Sequence, residues 1–158
     1  MDGDLSVSIR QLPAVRVACI EYRPGPEPAS MHDEIGDCFR RVQAWLRERG
    51  HDPLARPAIG AITMVDGRLA SYGCCIQLPD QVHSGSPGVE IQDLPGGWCA
   101  VMSLRKDPAV IGESIGRLYQ EYLPHNRIDL DGSRPTYEIY YETTMDYCVP
   151  ILPPPAGE

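Results

Sequence analysis

The feature that most constrains this chain is that it contains itself twice. The segment from Val7 through Ile9, Leu12-Pro13 and Ala18 to Arg23 lies without a gap on the segment from Val89 through Ile91, Leu94-Pro95 and Ala100 to Arg105, about 82 residues further on. Each segment reads as an apolar strand. Each is followed by a helical stretch that opens Ile-Gly-acid: Ile35-Gly36-Asp37 with Arg41 beyond it, and Ile111-Gly112-Glu113 with Arg117 beyond it. Ile35, Phe39, Val42 and Leu46 recur at the spacing of one buried helix face, as do Ile111, Ile115, Leu118 and Tyr122. Gly50 predicts the end of the first helix and Pro124 the end of the second. Two further strands close each half, beginning at Pro57 and Tyr72 in the first and at Pro135 and Tyr147 in the second. The polar segments Val65-Asp66-Gly67-Arg68 and Thr143-Thr144-Met145-Asp146 read as their hairpin connections.

The unit is therefore β-α-β-β, twice. A duplicated unit of this kind predicts an α+β fold. It has an antiparallel sheet with pseudo-two-fold symmetry, helices on one face, and a central cleft where the halves meet. The chain of 158 residues is read as a single domain, 1–158, with repeat one over about 5–79 and a linker over 80–88. Repeat two covers about 89–152, and 153–158 form a proline-rich tail.

Composition narrows the function. A formal net charge of −8 repels phosphate backbones, and no basic stripe offers a groove contact, so direct nucleic-acid binding is not expected. No apolar run approaches the roughly 18 to 20 residues of a membrane span, and the acidic start Met1-Asp2-Gly3-Asp4 is unlike a signal peptide. A cytoplasmic protein follows as the expectation. The six cysteines fall in apolar stretches such as Val17-Ala18-Cys19-Ile20 and read as small core residues, while Cys74-Cys75 reads as buried rather than redox-active. The four histidines are far apart and no Cys-x-x-Cys occurs, so neither a metal nor another cofactor is expected.

One carboxylate stands out. In the strand Thr136-Tyr137-Glu138-Ile139-Tyr140, alternation puts Glu138 and Tyr140 on one face. Setting Pro57 on Pro135 makes Gly60 the counterpart of Glu138, and Ile62 that of Tyr140. One half thus carries an acid where its mirror has no side chain, and the space over Gly60 is read as room for a guest. Trp98, which replaces Arg16 after Gly96-Gly97, shares a strand face with Ala100 and Met102 and is read as a wall of the same cleft. A walled-in carboxylate without a cationic side chain beside it is costly until a cation arrives, and aromatic rings add roughly 0.5 to 2 kcal/mol of cation–π attraction. The candidate ligand-binding set is Glu138, Tyr140, Trp98, Gly60, Ile62, Met102 and Ala100. Phe39, Trp45, Tyr119 and Tyr122, at helical spacing, are read as helix-packing residues.

Together, the Leu94-Pro95-Gly96-Gly97-Trp98 strand, the Ile111-to-Pro124 helix and the closing Thr136-to-Tyr140 strand resemble the GyrI-like effector-binding domain family of bacterial regulators. The resemblance runs from about Leu5 to Ile151. It implies a duplicated fold whose cleft accepts chemically diverse drugs, with a glutamate in the last strand meeting cationic ligands; Glu138 is the matching position. This chain differs in having Trp98 where a tyrosine is common. Many relatives carry a DNA-binding segment ahead of this domain; here the first repeat starts within about seven residues of Met1, so a stand-alone member is expected.

The function this implies is binding of lipophilic, cationic small molecules, as a sequesterer or as a sensor acting through an unidentified protein partner. An alternative implied by the same family is a hydrolase of cyclopropane-containing DNA-alkylating natural products. In that case Glu138 would position or deprotonate water while Trp98 and Tyr140 held the electrophile. A third reading, inhibition of a partner such as DNA gyrase, has less support. The charges it would need, at Asp33, Glu34, Asp37, Glu48, Glu113 and Glu121, read as solvated helix faces.

Overall fold

A computed structural model describes residues 5–26 and 30–154. It is α+β, with one eight-stranded antiparallel sheet and its helices on one face. The strands are β1 (Val7–Leu12), β2 (Val15–Tyr22), β3 (Ala58–Val65), β4 (Arg68–Gln77), β5 (Glu90–Leu94), β6 (Gly97–Arg105), β7 (Thr136–Tyr140) and β8 (Thr144–Pro150). Helix α1 spans Met31–Glu48 and α2 spans Pro108–Arg117. A π-helical turn over Leu118–Tyr122 and the short α3 (Leu123–His125) continue α2.

Strand order is β1-β6-β8-β7-β3-β4-β2-β5, which reads the same from both ends once β1 is exchanged for β5, β2 for β6, β3 for β7 and β4 for β8. The pseudo-two-fold axis passes between β3 and β7, where Gly60 lies directly opposite Glu138. The fold class matches the repeat, but the unit gains a strand. Each opening segment is broken in two at Leu12-Pro13 and at Leu94-Pro95, because proline has no N–H to continue a ladder. The broken-off pieces then change places: β1 pairs with β6 of the other half, and β5 with β2.

Two smaller departures have local causes. The second helix does not stop before Pro124. The Leu123 N–H bonds the Leu118 carbonyl in a wide turn, and Pro124 falls in the first turn of the short segment that Leu123 opens, where a missing donor costs little. The β7–β8 connection falls at 141–143, beginning two residues earlier than expected, with the Tyr141 N–H bonded to the Thr144 carbonyl at 3.0 Å. The β3–β4 connection is the expected one; Asp66 and Gly67 both take the positive φ that such a tight hairpin requires, 52° and 76°.

Helix α1 buries Val42, Trp45 and Leu46 against Ala18, Ile20 and Ile76. On the other half, Leu118 and Leu123 pack on Ala100, Met102, Met145 and Val149. The opposite face of the sheet carries its own apolar cluster, including Val17, Cys19, Cys75, Val101, Tyr137 and Cys148. The sheet curls around that cluster far enough for the Tyr137 hydroxyl, in the middle of the sheet, to donate to the Pro95 carbonyl at 2.8 Å. The helix-bearing face is left open along its centre, between α1 and the α2 segment, where β3 meets β7.

Candidate functional site

A cavity of about 450 Å³ occupies the α1 side of that opening. Its floor is Ala58 of β3, Tyr72 of β4, and Glu138 and Tyr140 of β7; α1 roofs it with Ile35, Phe39 and Gln43, and His32 lies towards the start of the helix. Both halves of the duplication contribute, as the cleft position demands.

Glu138 is half-buried and is not alone. Its Oε1 accepts the Tyr72 hydroxyl and the Tyr140 hydroxyl, each at 2.7 Å, and the two phenolic oxygens stand 3.0 Å apart. Its Oε2 accepts nothing from the described residues, and none of their ion pairs involves Glu138. The protein thus fixes one carboxylate oxygen and leaves the other without a partner among the described residues. Burial, and then the charge of Glu138, push the Tyr72 phenol far above the ordinary tyrosine range; the same two causes, in the same order, raise Tyr140. Both hydroxyls therefore remain protonated donors at physiological pH. Phe39 sets its ring edge-to-face against both tyrosines, with centroids 6.2 Å from Tyr72 and 6.3 Å from Tyr140. The result is an aromatic wall around a braced acid.

Gly60 has a different part from the one its sequence suggested. A Cβ built there would fall 2.0 Å from the Tyr72 Oη and 2.4 Å from the ring carbon that bears it. The room over Gly60 is filled by Tyr72, which crosses β3 to reach Glu138, so the glycine admits a protein side chain rather than a guest. Ile62 lies one tyrosine away, packed against the Tyr72 cluster and lining a separate cavity of about 310 Å³ with Tyr119 and the 130–136 segment. Trp98, Ala100 and Met102 share a face as expected, but that face packs with the α2 segment; Ala100 and Met102 are fully buried, and none of the three lines the Glu138 cavity. The Gly96-Gly97 pair does not free Trp98 to move. Arg134 clamps this strand, donating to the carbonyls of Gly96 at 3.2 Å, Trp98 at 2.7 Å and Ile151 at 3.0 Å.

Sequence reasoning missed Tyr72 and set Phe39 aside as packing. The signal for Tyr72 lay in the register of the repeat. Pairing Tyr72 with Tyr147 made it look like a shared feature, whereas the ladders place Tyr72 opposite Ile62 and Met145 opposite Tyr140. Tyr72 therefore corresponds to Met145, and it is a second asymmetry beside Gly60 and Glu138. Among the described residues no cluster of His, Cys, Asp and Glu is arranged to hold a metal ion.

Solved structures share this architecture across almost the whole chain. SAV2435 bound to tetraphenylphosphonium is 16% identical, with a TM-score of 0.64 over 94% of each chain. A hydrolase from Listeria innocua is 11% identical, with a TM-score of 0.65 over 92% of this chain and 91% of that one. The EcmrR C-terminal domain is 11% identical, with a TM-score of 0.66 over 94% and 98%. At these identities the likeness is one of fold. The sequence itself matches the description GyrI-like small molecule binding domain over residues 5–152, which spans both repeats, every strand and the cavity they enclose. The chain belongs to the GyrI-like small molecule binding domain family.

Proposed function

We propose that the cavity between the repeats receives flat or propeller-shaped lipophilic organic cations, with Glu138 as counter-charge and Phe39, Tyr72 and Tyr140 as the aromatic wall. The observation that carries this reading is the asymmetric bracing of Glu138: Oε1 is held by two phenols, while Oε2 has no partner among the described residues. A strongly hydrated cation gains little from an aromatic wall; a weakly hydrated organic cation gains both the charge and the ring faces. The volume suits one drug-sized ligand. The similar SAV2435 structure contains tetraphenylphosphonium, a ligand of this class. The protein would act as a sequesterer or as a sensor that passes its state to a partner protein, and its six unpaired cysteines fit a reducing, cytoplasmic setting.

Isothermal titration with tetraphenylphosphonium tests the charge. Glu138→Gln keeps the shape of the side chain and should weaken binding at least tenfold, while neutral triphenylphosphine oxide should bind both proteins alike. Equal affinity of the cation for both proteins removes the carboxylate from the account.

A second reading is hydrolysis in the same cavity. It is favoured by two hydroxyls held as donors beside a carboxylate with one free oxygen, and by the similarity to the Listeria innocua hydrolase. Glu138 would take a proton from water while Tyr140 donated to developing negative charge. Incubation with a cyclopropane-containing alkylator, followed by chromatography, separates the readings, since a binder returns the compound unchanged.

A further inference from the structure

The Glu138 cavity does not end at Tyr140. Gln43, Ala58 and Tyr140 also line a second cavity of about 610 Å³, so the two are neighbours along one cleft with the Tyr140 ring between them. The charges of the second cavity are of the other kind. Lys106 and Arg56 line it, opposed by the single carboxylate of Glu142. The Lys106 Nζ is 5.8 Å from the centre of the Tyr140 ring and 3.4 Å from the Glu142 carbonyl oxygen. That contact is to main chain, and neither Lys106 nor Arg56 forms an ion pair among the described residues. The nearest acid in sequence, Asp107, is engaged in capping α2 through the Ala109 N–H at 3.1 Å. Exposed apolar side chains, Leu54 and Tyr141, stand beside these cations.

A ligand that fills the first cavity and extends past Tyr140 therefore meets an acid at one end and a cation at the other. A purely cationic extension is repelled by Lys106. An anionic extension satisfies it and keeps its apolar linker on Leu54 and Tyr141. We infer that the cleft is built for zwitterionic amphiphiles: an apolar organic cation seated at Glu138, joined by a short apolar linker to a carboxylate or similar acid received by Lys106 and Arg56. This rests on the cation reading of the first cavity and names the ligand class more closely.

The test compares (4-carboxybutyl)triphenylphosphonium with its methyl ester by isothermal titration. The wild-type protein should bind the acid about tenfold more tightly than the ester. In Lys106→Met combined with Arg56→Gln that ratio should fall to about one, whereas in Glu138→Gln both compounds should weaken while the ratio persists. The ratio is internal to each variant, so a general loss of folded protein does not imitate the result. If the wild type binds acid and ester equally, or the advantage survives in the double variant, the zwitterion inference is overturned and the cation reading stands. If neither phosphonium binds, both fall.

Discussion

Glu138, Tyr72 and Gly60 work as one unit, and each is explained by the other two. The carboxylate needs donors because it is half-buried; Tyr140 reaches it from the same strand, but Tyr72 must cross β3, and β3 can be crossed only where it has no side chain. Gly60→Ala should therefore cost about 1 to 3 kcal/mol, since the new methyl group displaces a packed ring rather than filling space. In a Tyr72→Ala background the same substitution should cost well under 1 kcal/mol. Urea unfolding of the four proteins measures that coupling, and additive effects would show that Gly60 is not kept for Tyr72. Glu138 and Tyr140 were legible in the sequence because strand alternation pairs them and the repeat exposes Glu138 as an asymmetry. Tyr72 was not, because a two-residue shift in matching β4 to β8 gave it a false twin. Phe39 was not, because helical spacing looks the same for a residue that packs in a core and one that roofs a cavity.

Among the elements, the two Leu-Pro corners decide the topology. They break each opening strand, allow β1 and β5 to change halves, and press together at the pseudo-axis. A Cβ on Gly96 would lie 2.3 Å from the Leu12 carbonyl oxygen and 2.5 Å from the Pro13 carbonyl carbon, both main-chain atoms. Gly96→Ala should accordingly destabilise the fold by roughly 2 to 3 kcal/mol, because backbone cannot step aside as a side-chain tip can. Gly112 gives the contrasting case: it lies exposed in α2, and a methyl group added there would meet nothing within 4 Å, so Gly112→Ala should stabilise by about 0.5 to 1 kcal/mol. Thermal melts of the two variants moving in the same direction would contradict this account of the corners. The helices and closing strands were readable from periodicity. The corner was not, since an apolar run interrupted by one proline reads equally as an edge strand or as two strands, and only the exchange of partners between halves distinguishes them.

At the scale of the whole molecule, the repeat was enough to read a duplicated antiparallel sheet with a cleft at its axis, because each half supplies the same order of strands and helix. What repetition cannot show is which part of the axis stays open. The α2 segment closes on Ala100, Met102 and Trp98, while α1 stands off Glu138, and that difference arises from packing between elements distant in sequence. The buried phenols and thiols also set a collective pH response. Burial raises Tyr72, Tyr137, Tyr140 and Tyr147 above their unfolded values, and likewise raises Cys74 and pushes Cys148 up to about 12. Each group then keeps its proton in the fold after the unfolded chain has lost it. Stability should therefore be level with respect to these groups below about pH 8 and fall from about pH 8.5 upward, first through the thiols and then, above about pH 10, through the phenols. Tyr72→Phe should make the decline above about pH 10 shallower by about 1.4 kcal/mol per pH unit. Unfolding free energies that stay constant between pH 8 and pH 11 would mean that these side chains are not sealed from water.

Where a lipophilic cation sits is decided by a crystal structure with bound tetraphenylphosphonium. Phosphonium density is expected against Phe39 and Tyr140, within about 6 Å of the Glu138 carboxylate, with both tyrosine hydroxyls still on Oε1. Density for the cation beside Trp98, or in the cavity formed by the 130–136 segment, with the Glu138 cavity empty, would contradict it.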